Sequence, residues 1–152
     1  MKTVLTYGTF DLFHVGHVNL LRRLKGLGDR LIVGVSTDEF NREKGKQCLI
    51  PYEQRREIVS AIRYVDEVIP ESSWEQKVSD IRAYGVAVFA MGEDWQGRFD
   101  FLRAECEVIY LRRTEGVSST EIRVLLKSFD EEKVRQIKEA LDLIANVARD
   151  LS

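Results

Sequence analysis

The stretch VLTYGTFDLFHVGHVNLLRRLKGLGDRLIVGV, residues 4–35, predicts the fold of this chain. It begins with a short apolar run at 4–7 that is typical of a β-strand. A helix is predicted over 15–27 because leucines recur there at the spacing of one helical face, at Leu20, Leu21, Leu24 and Leu27. The run 31–35 is apolar and rich in branched residues, as in a buried strand. The stretch is therefore a strand, a helix and a second strand.

The same alternation continues along the chain. Further strands are predicted at 65–69, 86–91 and 108–111, and further helices near Pro51, near Trp74 and at 99–104. The polar stretch 38–47 predicts a loop. Strands that alternate with helices through short links predict an α/β, Rossmann-like parallel five-stranded sheet with helices on both faces, plus a C-terminal helix. In such sheets ligands bind beyond the carboxyl ends of the strands.

Charge and composition narrow the classes of function. The 152 residues include 23 basic and 25 acidic side chains, a formal net charge of −2. Because nucleic-acid-binding domains usually show a strong basic excess, no nucleic-acid partner is expected. No run approaches the roughly 18 apolar residues of a membrane span, and the amino terminus lacks the apolar run of a signal peptide. We therefore expect no membrane partner and a cytoplasmic location, with Cys48 and Cys106 as reduced thiols.

The tail differs in pattern from the rest of the chain. Asp130 is predicted to cap a helix that continues to about residue 151. Its apolar residues repeat at spacings of three and four, at Val134, Ile137, Leu141, Ile144, Ala148 and Leu151. This stripe either docks on the chain's own body or pairs across a dimer. The predicted organisation is thus a domain at 1–129 with an appended amphipathic helix at 130–152.

Two histidines follow the first predicted strand at the start of a helix. His14 and His17 are three residues apart, so both imidazoles lie on one helical face and face one ligand. The helix terminus adds backbone N–H groups and a positive dipole end, and Gly16 brings no side chain. Together these features predict a phosphate site suited to a transition state with charge on phosphate oxygens. Since no further Cys or His is close in sequence, no protein-bound metal is expected.

Three other groups of polar residues follow predicted strands. The segment 113–120 combines the guanidinium of Arg113 with a glycine turn and hydroxyls that either only cap a helix or also bind phosphate. Lys44 and Lys46 lie in the predicted loop after the second strand, where lysines are usually solvated. Asp94 belongs to a turn after the fourth strand. Neither a P-loop nor the glycine motif of dinucleotide-binding dehydrogenases occurs.

Several of these segments together resemble a known family. The segments are GTFD at 8–11, HVGH at 14–17, RYVDEV at 63–68, MGEDW at 91–95, FDFL at 99–102 and RTEGVS at 113–118. In this order and spacing they resemble the HxGH superfamily of nucleotidyltransferases and, within it, the glycerol-3-phosphate cytidylyltransferases. The resemblance covers about residues 1–127.

The resemblance implies a reaction and its partners. CTP and glycerol 3-phosphate would give CDP-glycerol and pyrophosphate, a precursor step of teichoic acid synthesis. The acceptor phosphate would attack the α-phosphorus of CTP in line, with Mg²⁺ accompanying the triphosphate. The block with Arg63 and Asp66 resembles the family's dimer contact, which implies a homodimer.

Residue roles also follow from the resemblance. His14, His17 and Arg113 would be catalytic, and Lys44 and Lys77 would bind glycerol phosphate. The expected nucleotide-binding residues are Thr9, Phe10, Gly16, Lys46, Asp94, Thr114, Glu115, Gly116, Val117, Ser118, Ser119 and Thr120.

Two alternatives stay open at the level of sequence. A related HxGH nucleotidyltransferase would use another phosphorylated alcohol as acceptor or ATP as donor. A regulatory module that binds nucleotide without turnover would need a damaged HxGH segment or a lost arginine, and neither is seen.

Overall fold

A computed structural model describes residues 1–116 and 118–150, except for the side chain of Phe129. Its centre is one sheet of five parallel strands in the order β3-β2-β1-β4-β5. The strands are β1 (Thr3–Gly8), β2 (Arg30–Ser36), β3 (Glu67–Glu71), β4 (Val86–Gly92) and β5 (Glu107–Leu111). The predicted α/β class and five-stranded parallel sheet are confirmed.

The helices follow the strands in alternation. They are α1 (Val15–Lys25), α2 (Asp38–Glu43), α3 (Tyr52–Ser60), α4 (Gln76–Ala83) and α5 (Ser119–Asp150), with 3₁₀ turns at Glu93–Trp95 and Asp100–Ala104. Pro51 directly precedes α3 as its N-cap residue. Proline suits a helix start because its missing N–H has no helical partner there.

Two apolar clusters cover the two faces of the sheet. Along β1, Val4 packs into one cluster and Leu5 into the other, as the alternation of side chains in a strand requires. The first cluster includes Leu21 of α1 and Val59 of α3, and the second includes Ile81 of α4. Helices therefore lie on both faces, and the core holds the strands so that their carboxyl ends form one edge.

The predicted loop at 38–47 was partly wrong, because α2 occupies its first half. The Thr37 side chain accepts a hydrogen bond from the Phe40 N–H, and Asp38 and Glu39 lie in the first turn, where the helix dipole favours acidic groups. Phe40 is buried and fixes the helix to the body. A single apolar residue in a polar stretch gives no helical periodicity, so the sequence pattern did not reveal this helix.

The third strand also differs from its prediction, since Pro70 lies inside β3 rather than after it. Pro70 is opposite Val35 of β2, and β3 is the edge of the sheet. An edge strand tolerates proline because only one side of it needs a full ladder of N–H donors.

The helix predicted to begin at Asp130 is part of a longer one, so the predicted cap is wrong. Asp130 lies inside α5, which begins at Ser119 and contains no glycine or proline to interrupt it. The Oγ of Ser118 accepts a hydrogen bond from the Glu121 N–H and caps this helix, as the sequence suggested. The chain divides into compact units at Met1–Val117 and Ser118–Ser152. No helix among the described residues is long and apolar enough to cross a membrane.

Candidate active site

The polar residues singled out in the first unit gather at the carboxyl edge of the sheet. Gly8 at the end of β1 is opposite Val35 of β2, and Ser36 at the end of β2 is opposite Glu71 of β3. The strand order reverses direction between β1 and β4. Parallel sheets bind ligands in the crevice at such a reversal, beyond the strand ends.

The turn between β1 and α1 has an unusual backbone. Phe10 and Leu12 have φ angles of 54° and 49°, in the left-handed region that bulky residues rarely adopt. Between them, the buried Asp11 carboxylate accepts hydrogen bonds from the N–H groups of Leu49 and Ile50, both at 2.9 Å. These bonds fix the turn against the segment before α3. Backbone strain of this kind persists where the surroundings hold it and is typical of functional sites.

His14 and His17 form a reciprocal cap at the start of α1. The Gly16 N–H donates to His14 Nδ1 at 3.0 Å, and the His14 N–H donates to His17 Nδ1 at 3.1 Å. The two rings stack with their centroids 4.0 Å apart. Because each Nδ1 accepts a proton donor, each neutral ring carries its own proton on Nε2. Both imidazoles are thus held as Nε2–H donors, as an anion site requires.

The electrostatic setting favours neutral imidazoles. Burial and the neighbouring His14 lower the pKa of His17 from its ordinary 6.5 to about 4. Burial and the positive charge of Arg113 also lower the pKa of His14. A proton on either imidazole would add a positive charge beside Arg113 and would oppose protonation of the other ring. At neutral pH the pair therefore donates hydrogen bonds without carrying charge.

Arg113 follows β5 and is tied to the end of β4. Its backbone N–H donates to Glu93 Oε1 at 3.0 Å, and its Nη1 lies 3.9 Å from Asp94 Oδ2. All three side chains are exposed, so this ion pair leaves the guanidinium open to a ligand. Since Arg113 lowers the pKa of His14, its charge acts at the histidine pair. The two predicted catalytic groups thus share one electrostatic environment.

The two lysines predicted to bind the acceptor lie together around one carboxylate. Lys44 Nζ is 3.4 Å from Glu71 Oε1, and Lys77 Nζ is 3.6 Å from Glu71 Oε2. Ser36 Oγ donates to Glu71 Oε1 at 3.0 Å. Lys77 is only 1% exposed, which is unusual for an ammonium group.

Aromatic rings line the space around these ammonium groups. Lys77 Nζ lies 4.5 Å from the ring centroid of Tyr7 and 4.8 Å from that of Trp74. Lys44 Nζ lies 4.3 Å from the ring centroid of Phe40. Such contacts stabilise a cation out of water through the ring quadrupole. Lys46 is exposed, with its Nζ 5.8 Å from the Trp95 ring centroid, and therefore lies at the rim of this space.

Arg55 joins the loops of the site and was missed by the sequence analysis. It is fully buried and donates to the carbonyls of Ile50, Thr9 and Ser36 at 2.7–2.9 Å. Its Nη2 also donates to Asp38 Oδ1 at 2.7 Å. An arginine beside a second arginine on a polar helix resembles solvated surface, so no local signal distinguished it. Asp11 and Glu71 were likewise given no role, although Asp11 stands within the quoted GTFD segment.

The predicted nucleotide-binding residues fall into different surroundings. Thr9 Oγ1 donates to Asn41 Oδ1 at 3.2 Å, while the Phe10 ring packs in the apolar core. The Gly16 N–H is engaged by His14. Thr114, Glu115 and Gly116 form the turn after β5, with Gly116 at a φ of 81°. Val117 lies outside the described residues, and Ser118, Ser119 and Thr120 begin the second unit.

Few side chains of the candidate site are placed to bind a metal ion directly. Within residues 1–116 and 118–150 no three His, Cys, Asp or Glu side chains come together to hold a metal ion. Asp94 faces Arg113, and Glu71 faces two lysines. The residues fit a Mg²⁺ ion that would arrive with the phosphates of a nucleotide and keep phosphate and water ligands.

Comparison with known proteins identifies the family. The model of the cytidylyltransferase-like family matches residues 5–125. A glycerol-3-phosphate cytidylyltransferase of Bacillus subtilis (strain 168) is 59% identical over 123 residues, which cover 81% of this chain and 95% of that protein. One of Staphylococcus aureus (strain NCTC 8325 / PS 47) is 58% identical over 123 residues, which cover 81% and 93%.

A solved structure supports the fold. The lipopolysaccharide core biosynthesis protein of Thermoplasma volcanium GSS1 superposes with a TM-score of 0.64 at 23% identity, covering 76% of this chain and 99% of that chain. At this identity the likeness concerns the fold alone. The family match over most of the chain, and the identity to relatives over nearly their whole length, show that the chain belongs to the cytidylyltransferase-like family.

Proposed function

We propose that this chain transfers the cytidylyl group of CTP to glycerol 3-phosphate, giving CDP-glycerol and pyrophosphate. The observation that carries the proposal is the stacked His14–His17 pair, held as neutral Nε2–H donors where β1 meets α1. The identity to relatives named glycerol-3-phosphate cytidylyltransferase supports the choice of donor and acceptor.

The chemical step is an in-line displacement. An oxygen of the acceptor phosphate forms a bond to the α-phosphorus of CTP, and the bond from that phosphorus to the bridging oxygen breaks. The bonding pair leaves with pyrophosphate. A phosphate monoester is already ionised at neutral pH, so the step needs no general base. The Nε2–H groups of His14 and His17 stabilise the charge that builds on the α-phosphate oxygens.

The acceptor site uses Lys44 and Lys77. Both ammonium groups lie at the ends of β2 and β3, on the opposite side of β1 from β4. The pairing of Lys77 Nζ with Glu71 Oε2 is long, at 3.6 Å, and no described residue makes a full hydrogen bond to Nζ, so its N–H groups are available to a phosphate. A buried ammonium with unused donors is a strong attractant for an anion.

The triphosphate site uses the residues around Arg113. Its exposed guanidinium binds the β- and γ-phosphates bidentately and stabilises the leaving group. Lys46 contributes charge from the rim, Thr9 and Asp94 contact the nucleotide, and Phe10 does so through its main chain, since its ring is buried. Thr114, Glu115 and Gly116, after β5, add further phosphate contacts. A Mg²⁺ ion bound to the CTP phosphates supplies further charge neutralisation when present.

The wider setting follows from the same reaction. CDP-glycerol made by this chain feeds teichoic acid synthesis, in the cytoplasm where CTP is available. The enzyme works as a homodimer, with the segment around Arg63 and Asp66 at the contact. Static light scattering on the purified chain measures this assembly directly.

The proposed function is tested by release of pyrophosphate with CTP or ATP, each with and without glycerol 3-phosphate and with Mg²⁺ present. Release that requires both CTP and glycerol 3-phosphate is expected. Release with ATP, or with phosphoethanolamine in place of glycerol 3-phosphate, would transfer the proposal to a sister activity. No release with any pair would contradict turnover and leave nucleotide binding alone.

A further inference from the structure

A buried carboxylate, Glu71, stands between the two lysines of the proposed acceptor site. Its side chain is almost inaccessible to solvent, and its oxygens face Lys44 Nζ at 3.4 Å and Lys77 Nζ at 3.6 Å. The remaining contact is the hydroxyl of Ser36, which also accepts a hydrogen bond from Lys44 Nζ at 3.2 Å. Among the described residues, Ser36, Lys44 and Lys77 are the side-chain partners of the Glu71 carboxylate. Its contacts serve the lysines rather than the packing of one element on another.

Two neighbouring ammonium groups that are largely shielded from water are unfavourable without a negative charge beside them. Burial lowers the pKa of both Lys44 and Lys77, and the positive charges of Lys46 and Lys77 lower the pKa of Lys44 further. Glu71 acts in the opposite direction and raises the pKa of both. Without it the lysines would tend to lose protons or to separate.

The other charged groups facing the lysines contribute less. Asp80 of α4 and Glu75, which directly precedes α4, also raise the pKa of Lys77, after Glu71 in size. Asp80 is engaged elsewhere, since it accepts hydrogen bonds from the Tyr7 hydroxyl and from Gln76. On the side of β1, Tyr7 presents its ring face, and its hydroxyl points to Asp80. Glu71 is thus the carboxylate common to both ammonium groups.

We infer that Glu71 is a positioning residue of the acceptor site, which holds Lys44 and Lys77 side by side and charged so that both bind one phosphate dianion. This inference rests on the proposed acceptor role of the two lysines. Glu71 itself repels the phosphate, so it acts only through them. The acceptor phosphate binds through the N–H groups of Lys77 that no described residue fully engages.

The test replaces Glu71 by its neutral isostere, Glu71→Gln, and measures the acceptor and donor kinetics separately. The KM for glycerol 3-phosphate is expected to rise by about tenfold or more, the size of one lost charge-assisted hydrogen bond. The KM for CTP should stay nearly unchanged. Glu57→Gln, which removes an exposed carboxylate of α3, is the matched control and should leave both values as they are.

The pH profile separates positioning from a merely structural role. Since Glu71 raises the lysine pKa values, its loss should move the alkaline limb of kcat/KM for the acceptor to lower pH. Glu71→Asp keeps the charge and should restore part of the shift. An unmoved alkaline limb, or a KM for glycerol 3-phosphate that is unchanged or lower in Glu71→Gln, would overturn the inference.

A measurement on the unaltered chain does not depend on the folding of any variant. Calorimetric titration with glycerol 3-phosphate at pH 8, in two buffers of different ionisation enthalpy, reports the protons taken up on binding. Lysines kept charged by Glu71 take up none. Uptake of about half a proton or more would show that they are partly neutral before binding and would contradict the inference.

Two further variants separate this inference from the proposed function. Lys44→Met and Lys77→Met should each raise the KM for glycerol 3-phosphate. If neither does, the proposed acceptor site is wrong. If both do while Glu71→Gln does not, only the role of Glu71 is wrong.

Discussion

At the scale of single residues, the histidine pair shows how backbone hydrogen bonds select a protonation state. Each Nδ1 accepts an N–H of the first turn of α1, so the ring proton stays on Nε2. This requires a histidine at the N-cap and a second one three residues later, which is the spacing of a capping box. The motif therefore caps the helix and orients two donors at the same time.

Removal of the Nε2–H donor of His17 tests whether the histidine pair acts in the chemical step. His17→Ala should lower turnover by about 10² or more, as is typical when an oxyanion donor is removed. Turnover is measured by pyrophosphate release at saturating CTP and glycerol 3-phosphate. Arg22→Ala, at an exposed position on the same helix, is the control and should behave like the unaltered chain. Turnover of His17→Ala near the unaltered level would remove His17 from the chemical step.

The lowered pKa of His17 also predicts a stability effect. Its pKa is about 4 in the folded chain and 6.5 ordinarily, so between these values the unfolded chain binds more protons. The contribution of His17 to the free energy of unfolding is therefore fully present above pH 6.5 and decreases as the pH falls towards 4. Between pH 7 and 4.5 the His17 contribution should fall by about 2 kcal/mol.

Urea unfolding at both pH values measures this effect. In His17→Gln, which cannot titrate in this range, the fall in unfolding free energy should be smaller by that amount. The carboxylates of the chain titrate in both proteins, so most of their contribution cancels in the comparison. Equal falls in the two proteins would show that the folded chain does not depress the pKa of His17.

At the scale of elements, one buried arginine joins the segments that carry the site. Arg55 of α3 bonds to the carbonyls after β1 and at the end of β2, and to Asp38 at the start of α2. The carbonyl of Ile50 receives its Nε–H. The guanidinium is fully buried, so one side chain supplies hydrogen bonds to several segments of the site at once.

Removal of the Arg55 guanidinium should destabilise the folded chain. Arg55→Met leaves three carbonyls without this donor, removes the charge partner of Asp38, and should lower the unfolding free energy by about 3–5 kcal/mol. Arg56→Met, at the exposed neighbouring position, should change it by less than about 0.5 kcal/mol. Denaturant unfolding at one pH compares the two variants. A similar small effect in both would mean that the buried network adds little to stability.

Two elements, α2 and β3, show why the local sequence pattern did not predict every helix and strand correctly. The helix α2 is short and polar, and only the burial of Phe40 and the Thr37 cap explain it. The strand β3 contains Pro70, which is acceptable only because β3 lies at the sheet edge. Both facts concern neighbours in space, which a sequence window does not contain.

At the scale of the whole molecule, the tail lies beyond the family region. The family match ends at residue 125, and α5 continues to Asp150. Its apolar stripe at Val134, Ile137 and Leu141 remains predicted either to dock on the chain's own body or to pair across a dimer. Both arrangements follow from the spacing of three and four residues.

Deletion of residues 130–152 separates these roles from the chemistry. Pyrophosphate release should persist, because the histidines, lysines and Arg113 all precede the deleted segment. A smaller mass in light scattering would indicate pairing through the tail, and a lower unfolding midpoint at unchanged mass would indicate docking. If mass and midpoint both match those of the full chain, the tail has neither packing role.

The sequence by itself determined the alternation of five strands with helices, the parallel sheet and the histidine pair at its edge. These depend on periodicity and on spacing along the chain, which are local properties. Only the tertiary structure decided the roles of Asp11, Arg55 and Glu71. Their partners lie between 5 and 46 residues away in the chain, and a charged side chain becomes part of a site only when folding removes it from water beside those partners.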